Sequence, residues 1–461
     1  MKIHQFYTGC LAQASYYIDS DGVSAVIDPL RDIEPYLEMA RENKTTIRYV
    51  FVTHFHADFV SGHLELADRT GAEIVFGPGA TPNYPVHLAV HNETLPLGSC
   101  SVRILHTPGH TIESASFLLS DKEGIPQAVF TGDTLFVGDV GRPDLHSGNL
   151  DAEELASRLY DSVNASLATL PDHVTVYPGH GAGSACGKNL GSANQTTIGA
   201  ERSYNPVFLQ KKEDFIASIV KGQPIAPAYF FRDATINKEG CEHLDAVLER
   251  SQKLLTPDVF RREIALGATV LDTRNAIYPK HGLIVGAIHI GLDGQFAIWA
   301  GALLAFGRPL MLVSDPGTEK EVITRLARIG MDSCIGYLDG GITAWEATGG
   351  EVSDILSVQA KELSDNLIDG QSFQFLDVRK KAEFELGHID GAINIPLDEL
   401  QAKVGLLDKD RCYAVYCAGG YRSLVATSIL LREDFKHVYN VIGGFEVIRS
   451  VFSPSAGQYV Q

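Results

Sequence analysis

Residues Thr53–His63 read THFHADFVSGH, and the run that leads into them, Ile47–Val52, reads IRYVFV. An apolar, β-branched run that breaks into a loop of histidines and an aspartate is the pattern of a buried strand delivering polar groups to the edge of a sheet. The pattern recurs along the first half of the chain, in SAVIDPL, SVRILHTPGH, QAVFTGDTLF and VTVYPGHG. Between these runs lie helical stretches such as DAEELASRLYDSVNASLATL, with apolar residues at helical spacing and an acidic first turn. Strands alternating with helices predict a layered α/β fold.

The loops present, in chain order, His54, His56 and Asp58, then His110 in TPGHT, Asp133 in FTGDTLF and His180 in YPGHG. A single histidine is ordinarily a hydrogen-bonded core or surface residue. Four ligand-bearing loops in succession, each after an apolar strand, instead predict a metal site. The H-x-H-x-D pattern opens two-metal hydrolytic centres, whose ions lie about 3.5–4 Å apart. Phe59 occupies the place where the second ion would take another histidine, and it cannot ligate. Two imidazoles and one carboxylate on one face leave adjacent positions open, as non-haem Fe(II) uses for O₂ chemistry. Zinc is compatible with the same donors, and His56 competes with His54 as the ligand.

A chain of 461 residues exceeds one hydrophobic core, so two or three domains are expected. Hydrophobic content of 45% and charged content of 21% are those of a folded globular protein. A formal charge of -19 and a pI near 5.2 argue against nucleic acid or anionic lipid as partner, because either needs a basic face. Neither a signal-like start nor a membrane-length apolar run is present, and a cytoplasmic location is the expectation. Seven scattered cysteines read as reduced thiols. The expected assembly is a homo-oligomer.

The second half repeats itself. VLDTR at Val270–Arg274 returns as FLDVR at Phe375–Arg379, and GLIVGAIHIGL at Gly282–Leu292 returns as GHIDGAINIPL at Gly387–Leu397, both at an offset of 105 residues. Two homologous modules therefore follow the metal-binding domain, and the boundaries are set at 1–255, 256–355 and 356–461. Pro257 after Thr256 marks the first as a helix start. The second falls near TGGEVSDILSV, where a glycine pair is expected to give way to an acidic helix.

In the last module, YAVYCAGGYRSLVATSILL reads as a buried strand, a loop opened by Cys417, and a helix. Gly419 and Gly420 let successive backbone N–H groups curl toward one point, and the helix N-terminus adds positive potential. Ala418, Tyr421 and Ser423 complete a loop that favours a thiolate on Cys417. The middle module has LMLVSDPGTEKEVITRL at the same place, with Ser314 or Asp315 in place of the thiol. It cannot carry sulfur covalently.

THFHADF, TPGHT, GDTLFVGDVGRPDL, YPGHGAGSACGK and PAYF resemble the persulfide dioxygenase branch of the metallo-β-lactamase superfamily, over roughly residues 1–250. The resemblance implies an αββα sandwich with one Fe(II) per chain on His54, His110 and Asp133, and with His56, Asp58 and His180 around that shell. Arg142 and Tyr229 become candidates for binding the substrate, and Cys186 for relaying sulfur; the alternative for Arg142 is an ion pair with Asp144 or Asp139. C-A-G-G-Y-R, with LDVR and GGFE, resembles rhodanese sulfurtransferases over about residues 357–461. By that likeness Cys417 carries a persulfide and Arg422 recognises an anion, while the middle module is a degenerate rhodanese. Together the resemblances imply oxidation of a low-molecular-weight thiol persulfide by O₂ to sulfite, coupled to sulfur transfer that gives thiosulfate. The rival expectations are a zinc-dependent glyoxalase II-type thioester hydrolase and a sulfur-sensing scaffold. The carrier thiol stays open between glutathione, coenzyme A and bacillithiol.

Overall fold

The computed structural model describes residues 1–145, 150–223, 225–275, 282–363, 367–368, 371–452 and 454–455. The chain divides into two compact units, Met1–Ala246 with Ala327–Gly330, and Val247–Leu326 with Met331–Gln461.

The first unit is built on two six-stranded sheets. Alternation along the strands assigns each face. Tyr16 and Ile18 of Gln13–Ser20, Ala25 and Ile27 of Val23–Ile27, and Tyr49 and Phe51 of Thr46–Val52 face Val102, Ile104, Phe117, Leu119 and Phe130 of the other sheet. The Phe51 and Phe117 rings meet at 4.9 Å. The intervening residues Tyr17, Val26, Ile47 and Val50 turn outward and pack with Ile33, Tyr36, Ala40 and Leu66, on or beside helices Glu34–Asn43 and His63–Thr70. On the other side Leu105, Leu118, Val129 and Val176 receive Leu159, Phe215 and Ile219 from helices Ala152–Ser162 and Lys212–Val220. Helix, sheet, sheet, helix is the expected αββα sandwich.

Direction brings the loops together. Strand Cys100–His106 is antiparallel to Ala115–Ser120, which is antiparallel to Pro126–Gly132, which is parallel to Thr175–Pro178. Cys100–His106, Pro126–Gly132 and Thr175–Pro178 therefore run the same way and end at one edge. There they release His110, Asp133 and His180.

The second unit contains two sheets of the same strand order. One is Leu254–Leu255, Cys334–Leu338, Leu310–Val313, Thr269–Asp272 and Ile288–His289, all parallel. The other places Leu356–Gln359, Val438–Ile442, Cys412–Tyr416 and Gln371–Asp377 side by side, with Ile393–Asn394 on the last. The sequence repeat is thus a repeat of topology. It extends to buried ion pairs: Arg274 grips Asp272 and the Gly282 carbonyl as Arg379 grips Asp377 and the Gly387 carbonyl.

Local signals fare unevenly. Helix Pro257–Ala265 starts as expected, capped by the Thr256 hydroxyl, which accepts from Val259 N. Beyond Gly350 the expected acidic helix is replaced by strands Val352–Ser353 and Leu356–Gln359. Leu356 is exposed and Val358 buried, a two-residue period, and each strand finds a partner, Leu283–Ile284 or Tyr439–Ile442.

Candidate active sites

At the sheet edge, His54, His110 and Asp133 each offer one ligand atom, all within 4.8 Å of one another and all buried. Their hydrogen bonds fix the imidazoles. The Thr53 hydroxyl donates to Asp28 Oδ2 at 2.8 Å, so at 3.0 Å from His54 Nδ1 it can only accept. His110 Nδ1 lies 2.8 Å from the Arg142 carbonyl and His180 Nδ1 lies 3.2 Å from the Ala12 carbonyl, and both acceptors require N–H. All three rings therefore carry the proton on Nδ1 and keep the Nε2 lone pair free, the tautomer a metal-binding imidazole needs. Burial, then neighbouring His56 and His110, hold His54 far below the ordinary histidine range, so it is neutral.

His110 Nε2 is 3.5 Å from Asp133 Oδ2, and His180 Nε2 is 3.5 Å from Asp133 Oδ1. Among the described residues these atoms, with Asp58 Oδ1, are buried without a hydrogen-bond partner. Leaving polar groups buried and unpaired costs about 1–3 kcal/mol each, and a cation would satisfy several at once. The donor set fits a metal. Gly179 belongs to the arrangement: a Cβ there would stand 2.6 Å from Asp133 Oδ1.

His56 behaves differently. Its Nε2 lies 3.0 Å from Asp28 Oδ1, out of line for a hydrogen bond. Burial works against its protonation, but Asp28, Asp58 and Asp133 together outweigh burial and its pKa is raised. Its ring packs against that of Phe59 at 4.3 Å, tilted by 31°, and Phe59 is fully buried. His63, which ends the THFHADFVSGH stretch, is a core histidine bonded at 2.7 Å to the Tyr84 hydroxyl.

In the second unit, strand Cys412–Tyr416 ends at Cys417, and helix Tyr421–Arg432 follows the loop. Gly420 N donates to Cys417 Sγ at 3.1 Å, with φ of 110° at Gly420. Ser423 Oγ donates to Asn440 Oδ1 at 2.7 Å, tying the helix start to the neighbouring strand. Arg422 is held by Glu383 through two bonds of 2.6 and 2.8 Å. Burial opposes the Arg422 charge, but Glu383, with Cys417 contributing, raises its pKa. Register settles the middle module. Asp272 pairs with Val313 as Asp377 pairs with Tyr416, so Ser314 stands in place of Cys417, its hydroxyl 2.8 Å from Thr273 Oγ1.

Residues 8–180 match the family described as the metallo-beta-lactamase superfamily, and residues 359–450 match the rhodanese-like domain. An uncharacterized protein of Mycobacterium leprae (strain TN) is 34% identical over 239 residues, which are 46% of this chain and 99% of that one. The chain belongs to the metallo-beta-lactamase superfamily. Its superfamily unit is followed by a rhodanese-like domain. A protein named cytoplasmic hydroxyacylglutathione hydrolase, from Arabidopsis thaliana, is 35% identical over 185 residues, covering 39% of this chain and 67% of that one. A solved structure titled metallo-beta-lactamase from Staphylococcus aureus subsp. aureus COL aligns with a TM-score of 0.64 at 33% identity, over 73% of this chain and 98% of that one.

Within the superfamily unit, Arg142 is fully buried and engages Asp144 with bonds of 2.6 and 2.7 Å, and it donates to the Ala185 carbonyl. Of the two readings open for it, substrate cation or ion pair, the geometry is that of the ion pair, and what it offers the site is its backbone carbonyl, on His110. Tyr229 is buried at the start of helix Tyr229–Glu239, and burial, then Asp58, Asp233 and Cys186, raise its pKa well above the ordinary range. Cys186 lies beside Asp58 and His180, all three offering ligand atoms within 4.8 Å of one another. Burial, then Asp58 and Asp133, raise its pKa, so the free thiol stays protonated. A cavity of about 440 Å³ flanks the histidine loop, lined by Phe55, Thr111, Glu113, Phe230, Phe231 and Lys238 among others.

Three supporting residues escape a reading of the sequence by motif. Asp28 accepts from Thr53 N and Oγ1, both at 2.8 Å. Asn237 donates to the His56 and Phe59 carbonyls, both at 2.7 Å, and accepts from Ser61 N at 2.8 Å, stapling the histidine loop. Glu113 accepts from Phe55 N at 3.1 Å. Asp28 ends an apolar run as the metal-type residues do, which was its signal; Asn237 carries none.

Proposed function

We propose that the superfamily unit is a persulfide dioxygenase and the rhodanese-like domain a sulfurtransferase acting on its product. His54, His110 and Asp133 would hold one Fe(II), with His56, Asp58 and His180 around them. Bound there, Fe(II) supplies the redox chemistry by which O₂ reacts with sulfur. The observation that carries the reading is the union in one chain of a buried His, His, Asp group with inward-facing Nε2 lone pairs and a Cys417 loop built to hold sulfur.

The residues divide the work. Thr53 and Asp28 hold the His54 ring, the Arg142 carbonyl holds His110, and Phe59 excludes water from the loop. The flanking cavity receives the carrier thiol, with Glu113 and Lys238 as its charged groups. The balance is one persulfide, one O₂ and one water to one thiol and one sulfite. Cys417 thiolate then attacks the outer sulfur of a second persulfide, releasing the carrier thiol and forming the Cys417 persulfide. Sulfite takes that outer sulfur as thiosulfate and returns the Cys417 thiolate. Gly420 N–H and Arg422 stabilise the anions on this path.

Relatives named hydroxyacylglutathione hydrolase support a second reading, thioester hydrolysis by zinc. Oxygen uptake and product analysis separate the two. With glutathione persulfide, the iron-loaded chain should consume O₂ in step with sulfite, and Cys417→Ser should keep O₂ uptake and lose thiosulfate. Hydrolysis of a hydroxyacylglutathione by the zinc-loaded chain, without O₂ uptake on persulfide, overturns the proposal.

A further inference from the structure

Backbone that leaves a strand inside a protein needs a partner for each N–H and C=O, and in the histidine loop those partners come from outside it. Asn237 takes the His56 and Phe59 carbonyls and Ser61 N, Glu113 takes Phe55 N, and the Pro29 carbonyl takes Gly62 N at 3.0 Å. Val60 N, two residues past Asp58 and fully buried, is taken by the Arg328 carbonyl at 2.7 Å. Arg328 falls within the middle module of the sequence. Helix Glu319–Ala327 is part of the second unit as far as Leu326, but Ala327–Gly330 are part of the first.

Helix C-termini leave carbonyls without intrahelical partners, and the first unit supplies donors for this one. Buried Arg31 donates to the Ala327 carbonyl at 2.7 Å, and Arg232 donates to the Ile329 carbonyl at 2.6 Å. Both cations also suit the negative end of the helix dipole. The Arg328 side chain grips Asp32 through two bonds of 2.7 and 2.8 Å. Gly330 closes the turn at φ of 67°, and a Cβ there would stand 2.7 Å from Ile236 Cδ1 and 2.9 Å from Asp233 Oδ1. Ile236 and Asp233 lie on helix Tyr229–Glu239, which also carries Asn237. Three successive carbonyls thus meet three separate parts of the metal unit, and the middle one meets the histidine loop itself.

We infer that Ala327–Gly330 is a positioning element of the metal group, so that the module without a thiol serves the metal unit instead. With Phe55 N held at one end and Val60 N at the other, the loop keeps His54, His56 and Asp58 in place. Arg31 and Asp32 follow closely on Asp28, whose carboxylate holds Thr53, so the turn grips both segments that set the His54 ring. The inference rests on the His54, His110, Asp133 group as a metal site and not on the reaction proposed there.

Hydrogen–deuterium exchange of the full-length chain, without metal, reads the loop directly. Arg328→Ala should release the turn and speed exchange in the peptide covering residues 55–62 about tenfold, the effect of losing one net hydrogen bond, while strand Thr46–Val52 keeps its protection. Gly330→Ala should do the same by displacing the turn, and Arg328→Lys, which keeps the charge opposite Asp32, should recover most of the protection. Co²⁺ then reports on the ligands. The visible d–d band that His110→Ala removes should shift in Arg328→Ala and in Gly330→Ala, with affinity lowered roughly tenfold. Exchange and affinity within twofold of the parent in both variants overturn the inference. So does an equal loss of protection in strand Thr46–Val52, which would mark general destabilisation. No persulfide or O₂ enters either measurement, so a failure here leaves the dioxygenase reading standing.

Discussion

Asp28→Asn tests the outer support of the metal group. The substitution keeps the shape and removes the charge from the carboxylate that accepts Thr53 N and Oγ1 at 2.8 Å each and faces His56 Nε2 at 3.0 Å. In the wild type the relay runs from His54 Nδ1–H to Thr53 Oγ1 and on to Asp28, raising the basicity of Nε2. Loss of such an outer partner lowers metal affinity roughly 10- to 100-fold, equivalent to about 1.4–2.8 kcal/mol. The assay is competition for Co²⁺ between the chain and a chromophoric chelator, with His110→Ala as the variant that marks the loss of the His54, His110, Asp133 group. Thr53→Val removes the middle of the same relay and should cause a comparable loss. Because both act along one chain of bonds, the double variant should lose little more than the worse single. An affinity within twofold of the parent for Asp28→Asn, or additive losses in the double variant, would refute the relay.

Three further outcomes follow from the rhodanese-like domain. Tyr421 Oη donates to the Gly291 carbonyl of the middle module at 2.8 Å; Tyr421→Phe should slow thiosulfate formation severalfold with O₂ uptake unchanged, and equal rates would show that this strut is idle. Gly444 has φ of 58°, and a Cβ there would stand 2.4 Å from the Cys417 carbonyl and 2.5 Å from that of Ala418, so Gly444→Ala should displace the loop and lower the melting temperature by several degrees in calorimetry. Burial raises the Glu383 pKa, but the hydrogen bonds and charge of Arg422 outweigh it, leaving the carboxyl below its ordinary value. The pair therefore stabilises the fold above the unfolded-state pKa of about 4.3 and loses that contribution as pH falls through the lower folded value. Denaturant titrations between neutral pH and pH 3 should show a shallower acid loss for Glu383→Gln than for the parent.

Much of the site is legible because its residues follow strands. The end of such a run, YVFV at Tyr49–Val52, is buried on both faces, so what comes next stands at a sheet edge. His54, His110, Asp133 and His180 could therefore be found without coordinates, as could Cys417 from its glycines. The partners that tune them could not. Asn237 lies 181 residues from the His56 carbonyl it holds, and no periodicity marks a single polar residue inside a helix. Arg142 presented a cation beside the motif, but only its neighbours show that Asp144 takes it.

The sequence by itself determined the α/β class, the repeat of 105 residues, the metal-type loops and the missing thiol of the middle module, because each rests on local pattern and residue chemistry. Tertiary structure alone decided three things. Loop residues set the tautomers, Thr53 with Asp28 for His54, the Arg142 carbonyl for His110 and the Ala12 carbonyl for His180; strand register identified Ser314, not Asp315, as the counterpart of Cys417; and loop convergence brought Cys186 to Asp58 across 128 residues of chain. The physical reason is common to all three. Spacing along a chain fixes what a residue can do, while its protonation state and its ligand neighbours depend on which other strands end at the same edge.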